Sequence, residues 1–145
     1  MTTTATGTGT FTFVSWDEQP VGEAEGGSKL TRAAVQNRFS GTIEGTSSVA
    51  YVMSYQPDGT AVFEGYEQIE GSVDGRAGSF VLQHSGTVTR ADSPTDFVVS
   101  CQWRVVPGSG SGDLAGLTGS GGYTGTHGVR DTPYTFAYEL LGVRR

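Results

Sequence analysis

The sequence predicts an all-β chain, a small closed antiparallel β-barrel of about eight strands, and three observations predict it. Apolar residues recur at period two in short runs separated by turn residues. Asp58-Gly59 and Asp74-Gly75 supply the positive φ that tight hairpin turns require, which makes neighbouring strands antiparallel. The glycine-rich stretch PGSGSGDLAGLTGSGGY, Pro107 to Tyr123, lies between two strand-like runs and not ahead of a helix. Glycine in such a context marks bulges, bends and barrel corners. Gly110, Gly112 and Ala115 do fit G-x-G-x-x-G/A, but the glycines that follow would break the required helix at roughly 1 kcal/mol each, so dinucleotide binding is set aside.

Each strand follows from the same period. The runs fall at 9–16, 34–45, 48–55, 61–73, 78–88, 96–106, 118–126 and 133–141. Asp17 to Ser28, DEQPVGEAEGGS, reads as an acidic solvated loop, and Lys29 to Gln36 as a strand entry. Eight short strands must close or split to hide their edges, and interior glycines suit the coiling of closure. The chain of 145 residues is read as a single β-barrel domain, 1–145.

Composition narrows the function classes. Net charge is -6, and the arginines are scattered apart from the terminal pair, so nucleic acid and anionic membrane are not expected partners. With one cysteine, Cys101, no internal disulfide can form, and a reducing, cytoplasmic setting fits. The opening MTTTATGTGT has no secretory pattern, and no apolar run is long enough for a membrane helix. His84 and His127 are the only imidazoles, and no metal-ligand spacing, P-loop or nucleophile elbow occurs, so neither metal nor cofactor is expected.

Taken together, FTFVSWDEQP, FSGTIEGTSSVAYVMSY, AVFEGYEQIEGSVDGRAGSFVLQHSG and GSGSGDLAGLTGSGGY followed by YTFAYEL give a chain that resembles the DUF3224 family over nearly its whole length. That family comprises small proteins without an assigned general function and looks like the allene oxide cyclase-like barrels. Here LAGLTGSGGY and YTFAYEL are similar to the closing glycine-rich strand pair of those cyclases. The resemblance implies an eight-stranded antiparallel barrel with an apolar interior. It carries over no catalytic residue.

The chemistry is therefore sought in the lumen. One face of the strands collects Phe11, Phe13, Phe39, Ile43, Tyr51, Met53, Tyr55, Phe63, Glu67, Ile69, Phe80, Leu82, His84, Val99, Cys101, Trp103, Phe136 and Tyr138. These rings either fill the barrel or line a ligand cavity. If Asp74-Gly75 is a two-residue turn, Gly65 pairs with His84 and Glu67 with Leu82, which sets Glu67 diagonal to His84 and leaves room over the imidazole. The competing arrangement is a solvated pair on the outer face. A two-residue turn at Asp58-Gly59 conflicts with this phase, since it would align Glu64 and Tyr66 with Tyr51 and Tyr55.

Glu67, His84, Tyr51 and Tyr138 are the candidate catalytic groups, able to polarise a carbonyl or move a proton without a cofactor. Phe13, Tyr55, Phe63, Phe80, Cys101, Trp103 and Phe136 are the candidate ligand-binding residues, with Glu18 and Glu44 as secondary carboxylates. Cys101 reads as a small buried residue, since no cation is near it in sequence. The expected function is binding of an apolar or conjugated small molecule and its cyclisation or isomerisation. The alternative is a non-catalytic ligand-binding or interaction barrel, with a homodimer as a candidate partner and Trp16, Trp103, Tyr66 and Tyr123 as outer anchors.

Overall fold

A computed structural model describes residues 2–90, 97–126 and 131–141. Eight antiparallel strands follow chain order around one closed barrel: β1 (Thr2–Glu23), β2 (Lys29–Gly41), β3 (Ile43–Tyr55), β4 (Ala61–Val73), β5 (Arg76–Arg90), β6 (Phe97–Val105), β7 (Thr118–Thr126) and β8 (Thr132–Leu141). The closure that the turn chemistry and interior glycines predicted is made by β1, which pairs with β8 from Thr2 to Phe11 and with β2 from Gly9 to Glu23.

β1 is also where the sequence reading needs correction. It starts at Thr2, and residues 17–23 of the expected acidic loop continue it, which leaves 24–28 as the connection. Register shifts between Phe13 and Ser15 and between Pro20 and Gly22 break the alternation that would have marked the strand.

The two Asp-Gly turns differ, and the difference removes the phase conflict. Asp74 (φ 47°) and Gly75 (φ 85°) form the two-residue turn that pairs Val73 with Arg76. At the other, Tyr55 pairs with Ala61, so the connection is the five residues Gln56 to Thr60. Asp58 Oδ1 accepts from the Thr60 amide (3.0 Å) and hydroxyl (2.7 Å), and the Gly59 amide donates to the Gln56 carbonyl (3.0 Å). The odd length puts Met53 opposite Phe63 and Val49 opposite Glu67, so all four side chains share the inner face.

The barrel is closed at one end. After β6 the glycine-rich segment runs beside the first half of β5, where the Ser111 amide donates to the Ser79 carbonyl (2.9 Å) and the Ser109 hydroxyl accepts from the Val81 amide (3.0 Å). A 3-10 turn, Gly112–Leu114, then sets Leu114 and Leu117 fully into the interior. Gly78 allows this approach, since a Cβ there would lie 2.0 Å from the Ser111 carbonyl oxygen. Above this floor stand Ile43, Val73, Phe80, Phe136 and Leu140, and Tyr134 ties it across by accepting from the Ile43 amide (2.9 Å) and donating to the Ser40 carbonyl (2.9 Å).

Candidate functional site

Between the floor and the opposite mouth, the inner-face pattern is interrupted by polar residues on four successive strands. Asn37 stands between Val35 and Phe39 on β2, and Ser47 follows Ile43 and precedes Val49 on β3. Glu67 precedes Ile69 on β4, and His84 follows Leu82 on β5. All four are buried, Glu67 at 0% and His84 at 1% exposure. They mark the boundary between the interior's two apolar clusters, which on β6 falls between Cys101 and Trp103.

The girdle is one hydrogen-bonded chain. His84 Nε2 lies 2.7 Å from Glu67 Oε1, and Glu67 Oε2 accepts from Asn37 Nδ2 at 2.9 Å and from the Ser47 hydroxyl. On the other side of the imidazole, Nδ1 is 3.4 Å from Cys101 Sγ. A carboxylate can only accept, so Nε2 carries the proton towards Glu67, and in the neutral ring Nδ1 is the free acceptor facing the thiol. Such an arrangement offsets the desolvation of a buried carboxylate, which without partners would cost several kcal/mol or more. Glu67 and Cys101 address opposite ring nitrogens and so do not converge on a common ion. Among the described residues no cluster of three or more His, Cys, Asp or Glu is arranged to hold a metal.

The register explains how the rings meet. Gly65 is paired with Tyr51 on one side and His84 on the other, and the room expected over the imidazole is taken by Tyr51. Its ring meets the imidazole edge-on at 5.5 Å, and a Cβ on Gly65 would lie 2.9 Å from Tyr51 Cδ1 and 2.1 Å from the Ala50 carbonyl. Trp103, paired with His84, contacts it at 5.4 Å, and Tyr123 stands 5.5 Å from Trp103. Tyr123, paired in register with Cys101, also packs on the imidazole at 6.4 Å. Burial, and secondarily the Glu67 charge, pushes the Tyr51 phenol well up; burial, then Tyr51 and Cys101, does the same to Tyr123. Burial pushes the Cys101 thiol up to about 12. All three are therefore neutral donors at physiological pH. Two buried polar atoms, Asn37 Oδ1 and Trp103 Nε1, have no partner among the described residues.

The mouth carries a second, smaller set. Glu18 Oε2 accepts from the Thr31 hydroxyl (2.6 Å) and the Tyr55 hydroxyl (2.7 Å), Oε1 accepts from Trp16 Nε1 (3.0 Å), and Lys29 lies over the Tyr55 ring at 5.0 Å. Burial alone would raise the Glu18 carboxyl, but these donors and the Lys29 charge outweigh it and hold it below its ordinary value. Burial and Glu18 raise Tyr55 in turn.

Of the residues singled out in the sequence, Glu67, His84, Tyr51, Cys101 and Trp103 come together, with Phe63 packed on Tyr51 at 5.4 Å. The pair is not on the outer face. Tyr55 stands at the mouth. Phe80 and Phe136 stack on each other at 6.1 Å in the half next to the floor, and Tyr138 donates to Asp74 Oδ2 at the floor-side turn, away from Glu67. Phe13 lies beyond the last β1–β8 pair, is 59% exposed, and contacts Trp16 and not the lumen. Trp103 and Tyr123 face inward, so of the four proposed outer anchors only Trp16 and Tyr66 are exposed. Glu44 faces outward, and His127 lies outside the described residues. Asn37, Ser47 and Tyr123 were missed as members of the site. Their signal was phase alone, since Asn37 keeps step with Val35 and Phe39.

Two surface depressions differ in their relation to this chemistry, since the second includes Asn37 and Ser47 in its lining. One of about 500 Å³ lies on the outer face, lined by Val52, Val62, Glu64, Ser85, Thr87 and Gln102 among others, and a second of about 370 Å³ lies outside β2–β4. Inside, the rings of Tyr51, Trp103 and Tyr123 pack around the His84 imidazole at 5.5, 5.4 and 6.4 Å. No helix among the described residues is long and apolar enough to cross a membrane.

Fold and interior together define a small closed antiparallel barrel with an aromatic lumen divided by a buried carboxylate–imidazole girdle. The chain belongs to the DUF3224 family, whose model, described as a protein of unknown function, matches residues 7–138. A solved protein of unknown function from that family, from Shewanella oneidensis MR-1, is similar at 29% identity and a TM-score of 0.74, covering 96% of this chain and 99% of its own. Among curated proteins none matches.

Proposed function

We propose that this barrel binds a small molecule with an apolar body and a carbonyl-type head, held between the Glu67–His84 girdle and the Glu18–Tyr55 mouth. One observation carries the reading. A barrel meant only to be filled has no use for a fully buried carboxylate and imidazole flanked by an unpartnered donor, Trp103 Nε1, and an unpartnered acceptor, Asn37 Oδ1. A ligand head group, or water preceding it, is the partner such atoms call for. The mouth half is lined by short side chains, Ala33, Val35, Val49, Ala61 and Cys101, whereas Tyr51, Met53 and Phe63 are the large ones a ligand must displace or pack against. Met53 has the flexible stem for that adjustment.

The test is native mass spectrometry of the purified chain with extraction of whatever leaves on denaturation, followed by titration with the neutral naphthyl ketone prodan. A stoichiometric apolar compound, or saturable blue-shifted prodan emission abolished by Ala33→Phe, supports the reading. Empty protein together with unsaturable prodan emission rejects it.

The Glu67–His84 distance of 2.7 Å, with Tyr51 against the imidazole, favours a second reading, in which the same pocket steers cyclisation or isomerisation of the bound carbonyl compound by proton transfer. The packed lumen weighs towards binding over catalysis.

A further inference from the structure

The girdle does not end at His84. Cys101 Sγ, His84 Nδ1, His84 Nε2 and Glu67 Oε1 form a continuous line with separations of 3.4 and 2.7 Å, and Asn37 and Ser47 fix the far oxygen of the carboxylate. That is the order of groups that turns a thiol into a nucleophile: an acceptor nitrogen on the sulfur, with the other nitrogen's proton held by an oriented carboxylate. We propose that Cys101 is a nucleophile towards an alkene conjugated to a carbonyl, with His84 as its proton acceptor and Glu67 as the positioning residue. This rests on the small-molecule reading above and names its ligand class.

The surroundings choose conjugate addition over acyl transfer. Hydrolysis of an acyl-thiol needs water delivered to the acyl carbon beside the sulfur, and here Cys101 sits in a buried cluster with Tyr51 and Phe63, with Val99 and Tyr123 packed against it. Addition to an enone needs no water and no leaving group. The thiol proton passes to His84 Nδ1 as sulfur bonds to the β-carbon. The alkene π pair moves to the carbonyl oxygen as an enolate, and the proton on Nδ1 returns to the α-carbon to give a saturated thioether. If the enolate instead expels the sulfur after rotation about the former double bond, the thiol recovers its proton and the alkene leaves as its geometric isomer. Atoms and electrons balance in both outcomes with no oxidant or reductant. Tyr123, paired in register with Cys101, and Trp103, whose Nε1 is buried without a partner among the described residues and whose ring meets the imidazole at 5.4 Å, supply the donors available to the enolate oxygen. Flat aromatic walls suit a flat conjugated chain.

Because Cys101 is the only cysteine, intact-mass spectrometry reads the adduct directly. The full-length folded chain is incubated with the neutral enone 3-nonen-2-one, and the rate of single-adduct formation is compared with that of the same chain unfolded in urea at the same pH. The proposal expects the folded chain to react faster, the Cys101→Ser variant to form no adduct, and His84→Gln to lose on the order of a hundred-fold in rate. Glu67→Gln should also slow the reaction, with Glu67→Asp recovering part of it, as a positioning role requires. A folded wild-type chain that reacts more slowly than the unfolded one shows a thiol that is merely buried and overturns the proposal, whether or not the variants fold. Binding of 3-nonen-2-one to Cys101→Ser, followed by quenching of tryptophan fluorescence, separates the two readings. Saturable binding without a wild-type adduct rejects the nucleophile and keeps the pocket; no binding and no adduct reject both.

Discussion

Below the girdle the lumen is built from Phe39, Ile43, Ile69, Phe80, Leu82, Trp103, Phe136 and Leu140, sealed by Leu114 and Leu117; above it stand Ala33, Val35, Val49, Ala61 and Cys101 with only Tyr51, Met53 and Phe63 as large members. The first set has the volume and branched or aromatic shapes of a core that holds a fold. The second has short side chains, a flexible thioether, and a mouth guarded by hydrogen bonds from half-buried residues. One barrel thus divides its labour along its axis, with stability at the sealed end and adaptability at the other. The polar girdle is where the two meet, and it is the part of the molecule whose cost is hardest to justify by folding alone.

This contrast can be broken most forcefully at the floor. Phe136→Ala should cost about 3–5 kcal/mol in urea unfolding, whereas Met53→Leu in the upper half should cost less than about 1.5 kcal/mol. Equal losses would mean that the two halves are packed to the same standard. At the girdle, Glu67→Leu strands His84, Asn37 and Ser47 and should cost on the order of 3–5 kcal/mol. The double change Glu67→Leu with His84→Leu should be less damaging than the single, and a double-mutant cycle reads the coupling. Additive losses would show that the pair is not a unit.

A smaller effect is expected where the halves interlock. Gly65→Ala pushes a Cβ against the Ala50 carbonyl and Tyr51 and should cost about 1–3 kcal/mol, with Tyr51 fluorescence changed. An unperturbed melting curve would show that Tyr51 is free to move aside.

On the alkaline side the sign follows from the buried acids. The Cys101 thiol, ordinarily near 9.0 and held up at about 12, and the raised Tyr51 and Tyr123 phenols keep their protons in the folded chain after the unfolded chain has lost them. Their contribution is therefore whole below pH 9 and declines as the pH rises towards 12. Cys101→Ser should flatten the earlier part of that decline in a pH series of melting temperatures. The smallest change belongs to the mouth. Glu18 is held below its ordinary 4.5, so its contribution is present above that value and fades as acid titrates it. Because the group is largely solvated, Glu18→Gln should cost less than about 1 kcal/mol at neutral pH while easing ligand entry.

Much of this was legible in the sequence because a barrel's phase is set by local chemistry. Asp74-Gly75 alone fixed Gly65 opposite His84 and Glu67 opposite Leu82, and the structure keeps both pairs. Asp58-Gly59 misled because Asp58 also caps Thr60 and draws three more residues into the turn. Asn37 and Ser47 went unread because a polar residue in a strand is ordinarily assigned outward, and only the neighbouring Val35, Phe39 and Val49 reveal its phase. Phe13 went wrong for the opposite reason. Its parity matches that of Phe11, but the wall it would face ends with the last β1–β8 pair, one bulge before Ser15. The contact between Cys101 and His84 joins strands through a register two turns removed, Gly86 opposite Cys101, which local spacing does not encode.

The long first strand has a consequence for solubility. Past Phe11, β1 is paired among the described residues with β2 alone, which leaves a strand flank of the kind that recruits further strands and seeds fibrils. Bearing exposed Phe13, Val14, Trp16 and Val21, that flank would be a hazard if it were straight. It is not. Register shifts after Phe13 and Pro20 interrupt any continuous ladder, Pro20 withholds an amide, and Asp17, Glu18 and Glu23 put like charges on any second copy aligned with it. The irregularities that hid this strand in the sequence are the same ones that keep its open flank from serving as a template.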